Sequence, residues 1–171
     1  CNLSNAILNN MQLEGSEIRV ANLSKGQFNN VNFSNANMNG CSFVNATFGY
    51  TRDFNETQLS ENEVLDIIEN SSVRFKNSKL IMADFTKSHH RKTHFEGANL
   101  AESNFSNSVL IGVHFEGAIL IEEFEGNNLY ANFSNSYLLG CIAYIEQKKD
   151  FINCGAVIND MKFIENPNKN I

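Results

Sequence analysis

The sequence predicts an all-β solenoid of the β-helix kind, on three observations. Apolar residues recur at every fifth position, from Leu3 through Leu8, Leu13, Ile18, Leu23, Phe28, Phe33 and Met38 to Phe43 and Phe48. Two residues before each stands a mostly small side chain: Cys1, Ala6, Met11, Ser16, Ala21, Gly26, Val31, Ala36, Cys41 and Ala46. The composition points to the same periodic origin, with fourteen Phe, no Trp, a single Pro (Pro167) and a recurring excess of Asn and Ser among 171 residues. A five-residue period fits neither the roughly 3.6 of an α-helix nor the simple alternation of a strand. It marks stacked repeats, none of which can bury its apolar face alone, so that neighbours supply the core.

The remaining elements follow from where this rhythm holds and where it breaks. It resumes at Phe75, Leu80 and Phe85, skips at His90, and continues through Phe95, Leu100, Phe105, Leu110, Phe115 and Leu120. A less regular piece has Phe133, Leu138, Ile158 and Phe163. Phe48 and Phe75 lie 27 residues apart, which is not a multiple of five, so an insertion is expected at about 49–72. Within it, Ser60-Glu61-Asn62-Glu63 reads as a capping box, and Val64, Ile67 and Ile68 give the short helix that follows one apolar stripe for the rod. From Leu120 to Phe133 the steps through Phe124 and Leu129 predict a tightened side or corner. Tyr144 to Cys154, containing Glu146-Gln147-Lys148-Lys149-Asp150, predicts a surface loop. One domain is expected over 1–165, followed by a polar tail at 166–171.

Local matches such as Ala21-Asn22-Leu23, Ala98-Asn99-Leu100 and Ala131-Asn132-Phe133 resemble the Ala-(Asp/Asn)-(Leu/Phe)-x-x motif of the pentapeptide-repeat family. The resemblance covers most of the chain outside the insertion and the C-terminal end. It implies a right-handed quadrilateral parallel β-helix, with one pentapeptide per side and four per coil. Residues twenty apart then stack: Phe75, Phe95 and Phe115 in one column, Leu80, Leu100 and Leu120 in another, Phe28 and Phe48 in a third. At a strand spacing of about 4.8 Å, six or seven coils make a rod roughly 30 Å long.

Composition also limits function. A formal net charge of −6 argues against a nucleic-acid binder, which needs a basic face to displace counterions from phosphates. No apolar run approaches the roughly 20 residues of a membrane span. The chain opens at Cys1, already in register, so a piece of a longer or processed protein is expected. Charge is uneven along the chain. Asp53, Glu56, Glu61, Glu63, Asp66 and Glu69 crowd the insertion against Arg52, while Arg74, Lys76, Lys79, Lys87, Arg91 and Lys92 oppose only Asp84 in the stretch after it. The acidic insertion can fold over the basic coil, or the two can serve a partner. The candidate partner-binding residues are Glu61, Glu63, Asp66, Glu69, Lys87, Arg91 and Lys92.

Other chemistry is thin. His94 and His114 stack on one outward column and could share Zn²⁺ or Ni²⁺, but Arg74 falls on the same column and no cysteine joins it. Surface histidines, with no metal and no cofactor, are the expectation. His90 occupies an inward position, so it marks a bulge or finds a polar partner. Cys1, Cys41 and Cys141 fall at the small inward position, where a thiol is inert, and Cys1 and Cys41 are two coils apart, beyond disulfide reach; the pattern suits a reducing compartment. Cys154 lies in an irregular segment without an identifiable base.

No catalytic residue is assigned, and a protein partner is expected rather than a small-molecule substrate. The resemblance implies a non-catalytic protein-protein interaction module. Its first form is the target-binding β-helix of a bacterial secreted effector acting in the host cytoplasm, with any HECT-like ubiquitin-ligase domain outside this chain. The alternative is a DNA-mimicking protein that binds DNA gyrase in the bacterial cytoplasm. Mimicry needs a long face of carboxylates, whereas the residue before the central Leu or Phe is usually Asn, Ser, Gln, Lys or His here.

Overall fold

The computed structural model describes residues 1–49, 67 and 70–169. Over them the chain winds as a right-handed parallel β-helix with four faces. The first face stacks Asn2, Asn22, Ser42, Asp84, Asn104 and Asn132. The second is a continuous parallel ladder of β1 (Ile7–Asn9), β2 (Gln27–Asn29), β3 (Thr47–Phe48), β4 (His89–Arg91), β5 (Val109–Ile111) and β8 (Tyr137–Leu139). The third runs through Gln12, Asn32, Arg74, His94 and His114 into β9 (Ile142–Tyr144) and β10 (Lys162–Ile164). The fourth stacks Glu17, Asn37, Lys79, Asn99 and Ile119.

The corners explain the asparagines. Two residues after each central apolar residue the backbone turns with positive φ: Asn5 (62°), Asn10 (56°), Gly15 (68°), Asn30 (50°), Asn35 (59°) and Gly40 (67°) are the early examples. Asn and Gly tolerate the left-handed region better than other residues, so a rod with a corner every five residues enriches them. A second set of polar residues sits just before the central residue and closes a turn. The side-chain oxygens of Asn22, Asn32, Asn104 and Asn132 accept from the amides of Ser24, Ser34, Ser106 and Ser134 at 2.9 to 3.1 Å.

Inside, like stacks on like. Phe33, Phe75, Phe95 and Phe115 form one column with rings 5.1, 5.1 and 5.5 Å apart. Phe43, Phe85, Phe105 and Phe133 form a second at 4.8, 4.6 and 5.0 Å. The columns meet edge to face, as with Phe95 and Phe105 at 5.6 Å and 88°, the geometry favoured by the ring quadrupole. Buried serines at the small position satisfy themselves: Ser78, Ser103 and Ser136 each donate to the carbonyl three residues back at 2.6 Å.

Neither interruption shifts the register. Stacked partners are 20 residues apart within regular coils, as Asn9 and Asn29 are, and 42 apart across the insertion, as Asn39 and Ile81 are. The expected helix of the insertion lies mostly outside the described residues; Ile67 and Asn70 are helical, and the Ser71 amide donates to the Ile67 carbonyl at 3.1 Å.

Two sequence expectations are corrected. Between Leu120 and Phe133 the rod is not tightened but extended, by an antiparallel hairpin of β6 (Ile121–Phe124) and β7 (Asn127–Tyr130). Glu125 (φ 52°) and Gly126 (φ 79°) form its two-residue turn, and two positive φ values match the right-handed twist of paired strands. The Ala131 amide then rejoins the coil on the Leu120 carbonyl at 2.8 Å. Tyr144 to Cys154 is not a surface loop but a cap: a 3₁₀ turn at Ile145–Gln147 and the helix α1 (Lys148–Asn153). Phe151 on α1 is fully buried against Phe115 and Phe133, at 5.3 and 5.4 Å. No helix among the described residues is long and apolar enough to cross a membrane.

Candidate interaction surface

The regular interior sends its chemistry outward, because two of every five side chains fill the core and the others line the faces and corners. On the second face the outward residues change character along the rod. They begin with the exposed Ile7 beside Asn9, are polar at Gln27, Asn29 and Thr47, become basic at His89 and Arg91, and turn apolar again at Val109 and Ile111 and then at Tyr137 and Leu139. Register sets these rungs directly over one another, His89 to Val109 to Tyr137 and Arg91 to Ile111 to Leu139. Tyr137 is 51% and Leu139 41% exposed. At the head of the stripe, Phe48, His90, Arg91, Val109 and Ile111 help to line a cavity of about 120 Å³.

Of the residues singled out from the sequence, Lys87, Arg91 and Lys92 fall together on this coil. Arg91 is on the second face, and Lys87 and Lys92 stand at the corners on either side of it, with φ of 57° and 48°. Glu61, Glu63, Asp66 and Glu69 lie outside the described residues. The part of the insertion that is described, at Ile67, Asn70 and Ser71, lies beside Asn9, Asn10, Asn29 and Asn30 of the first two coils, a neutral corner. The apolar stripe escaped the sequence reading because its last step, from Val109 to Tyr137, crosses the hairpin and breaks the twenty-residue interval.

His90 forms no bulge. It pairs in register with Phe48 and Leu110, stacks on Phe48 at 4.4 Å, and meets Ser88 Oγ through Nε2 at 2.8 Å. Burial drives its pKa down to about 3, with the neighbouring His89 adding to the effect. Its Nδ1 is buried without a partner. The buried thiols are equally unreactive: burial pushes Cys141 and Cys154 up to about 12, and Asp150 adds to the rise at Cys154.

The third face holds His94 and His114, stacked at 4.7 Å as their spacing implies. Each is bonded through Nδ1 to a glutamate two residues on, His94 to Glu96 at 2.9 Å and His114 to Glu116 at 3.1 Å. The hydrogen bond to Glu116 raises His114 above its ordinary pKa, against burial. Burial works to raise Glu96, but the bond from His94 and that from its own backbone amide hold it below the usual carboxylate value. Sequence reasoning missed both glutamates, although the signal was present: His-Phe-Glu-Gly-Ala occurs at 94–98 and again at 114–118.

The family model of pentapeptide repeats matches in 8 copies over residues 1–35, 27–61 and 91–122, more than half of the chain. Comparison with curated proteins gives no match. Among solved structures, the chain is similar to a pentapeptide repeat protein from the thylakoid lumen of Arabidopsis thaliana, at 15% identity and a TM-score of 0.51, over 83% of this chain and 78% of that one. It is similar to Rfr23 of the cyanobacterium Cyanothece 51142, at 18% and 0.56, over 81% and 88%. It is also similar to QnrB1, a plasmid-mediated fluoroquinolone resistance protein, at 17% and 0.58, over 80% of this chain but only 60% of that longer one. These likenesses concern the fold. The five-residue register, the four-faced ladder and the family match together place the chain in the pentapeptide-repeat family.

Proposed function

We propose that the chain is a non-catalytic protein-interaction module that docks a partner on its second face. The observation that carries this reading is the exposed stripe of Tyr137 and Leu139 continuing Val109 and Ile111, bordered by His89, Arg91, Lys87 and Lys92. An apolar centre with a charged rim has the anatomy of a protein interface. Its chemistry selects a partner that offers an apolar ridge edged with carboxylates. The acidic residues Glu61, Glu63, Asp66 and Glu69 of the insertion form a second candidate surface.

In this reading the module is the target-binding part of a bacterial secreted effector, its partner is a host cytoplasmic protein, and any ligase chemistry belongs to a separate domain. Support comes from the family resemblance and from a surface built for docking rather than for reaction. The DNA-mimic alternative fares less well. Among the bridging residues of the first, third and fourth faces only Asp84 and Glu17 are acidic, and the stacked Glu96 and Glu116 of the third face are each bonded to a histidine, so no bridging column is a line of carboxylates.

The test is capture from eukaryotic lysate and, in parallel, binding of purified DNA gyrase. The baits are the parent chain, the triple charge reversal of Lys87, Arg91 and Lys92 to Glu, the double variant Tyr137→Glu/Leu139→Glu, and Lys79→Glu on the fourth face as control. A host protein held by the parent and the control but lost by both second-face variants supports the reading. Gyrase binding without a host partner would favour mimicry, and a host protein retained by every variant would dismiss the second face.

A further inference from the structure

The His-Phe-Glu repeat on the third face has no part in the docking stripe. The rod's twenty-residue register sets His94 over His114, and Glu96 and Glu116 follow at the same outward positions. An ionised carboxylate only accepts, so each imidazole donates its Nδ1–H to its glutamate, which fixes the tautomer and the ring. A carboxylate holding one nitrogen leaves the other with its lone pair outward, the arrangement by which proteins orient metal-binding histidines. The second oxygens of Glu96 and Glu116 are both buried and lack a protein partner. One donor atom each from His94, Glu96 and His114 lies within 4.8 Å of the others.

We propose that His94 and His114 form a site for a divalent transition-metal ion such as Zn²⁺ through their Nε2 atoms, with Glu96 orienting His94 and Glu116 orienting His114. A tetrahedral zinc with bonds of about 2.0 to 2.1 Å needs donors about 3.4 Å apart. The stacked rings are only partly buried, with His94 and His114 side chains 30% and 27% exposed, so small ring rotations can bring both Nε2 atoms onto one ion, with water completing its coordination. Two imidazoles favour Zn²⁺, Ni²⁺ or Co²⁺ over Mg²⁺ or Ca²⁺, which prefer all-oxygen sites. Lys92 shares a cleft with the two histidines, and Arg74 precedes them on the ladder. These cations weaken attraction for a metal held by charge alone, so selectivity falls to the imidazoles. The metal would clip together two successive coils downstream of the insertion.

The test is calorimetric titration of Zn²⁺ at neutral pH into the chain carrying Cys1→Ser, which removes the exposed terminal thiol as a rival ligand. Expected is one saturable site of micromolar affinity, weakened at least tenfold in His94→Ala and in His114→Ala. Glu96→Gln should weaken it less, and Mg²⁺ should not compete. Nitrogen-15 NMR of the imidazoles, recorded on the parent and on His89→Ala, should show the zinc-dependent shift on His94 and His114 alone. Absence of binding up to millimolar zinc, or binding unchanged in both histidine variants, would overturn the site.

Discussion

Val20 holds a φ of 55° at a corner, although Asn or Gly fills most corners of the rod, and it is 76% exposed. A β-branched residue there carries strain of about 1 to 2 kcal/mol and gains nothing from burial. Val20→Asn should therefore raise stability by about 1 kcal/mol, read as a higher urea midpoint with an unchanged slope. His90 is the opposite case, a polar ring held in the core. Its folded pKa of about 3 lies below the ordinary 6.5, so the unfolded chain binds the proton first as pH falls. The stability it contributes is complete above about pH 6.5 and is lost progressively toward pH 3. Between pH 7.5 and 5, His90→Phe should lose about 2 kcal/mol less stability than the parent in denaturant titrations. Equal losses would show that other groups govern acid unfolding.

At the level of elements, the regular coils were legible in the sequence and their exceptions were not. Phe28, Phe75 and Leu100 announce themselves by spacing, because every coil repeats the same burial. The hairpin of β6 and β7 was misread because Phe124 and Leu129 mimic the period with steps of four and five, yet Phe124 is 61% exposed. The cap was hidden because its decisive residue is polar. Gln147 takes the place of a missing fourth-face strand: its Nε2 donates to the carbonyls of Phe115 and Ala118 at 3.0 and 2.9 Å, and its Oε1 accepts from the amides of Gly117 and Tyr144 at 3.1 and 2.9 Å. Gln147→Ala would leave the buried Ala118 carbonyl without this partner and send the Gly117 and Tyr144 amides to water, the Phe115 carbonyl keeping the Ala118 amide at 2.9 Å, and should destabilise by about 2 kcal/mol. A melting temperature equal to the parent's would mean that water replaces the amide without loss. The third-face site was half legible for a related reason. Histidines are conspicuous by rarity, whereas Glu96 and Glu116 gain meaning only once the ladder brings them beside the rings.

For the whole molecule, the Phe columns continue unbroken across the insertion, with Phe33 on Phe75 at 5.1 Å and Phe43 on Phe85 at 4.8 Å. Replacing residues 52–66 by a short Gly/Ser linker should therefore leave the β-type circular dichroism intact and shift the melting temperature by only a few degrees. Loss of that signal would make the insertion part of the fold. Gly49 should be kept in any such variant. It has a φ of 87°, and a Cβ there would approach the Arg91 carbonyl oxygen to 2.5 Å, so the chain leaves the coil through a gap that no side chain fits.

The register that survives both a long insertion and a hairpin turns the exterior into a fixed grid. Each outward side chain has an address given by face and coil, and lengthening a corner loop changes the sequence number without moving the address. A binding patch on such a grid is portable. Copying its side chains onto the same face of another rod, at that rod's own stacking intervals, should carry the pattern of Arg91, Ile111 and Leu139 across whole, whatever loops either chain has acquired.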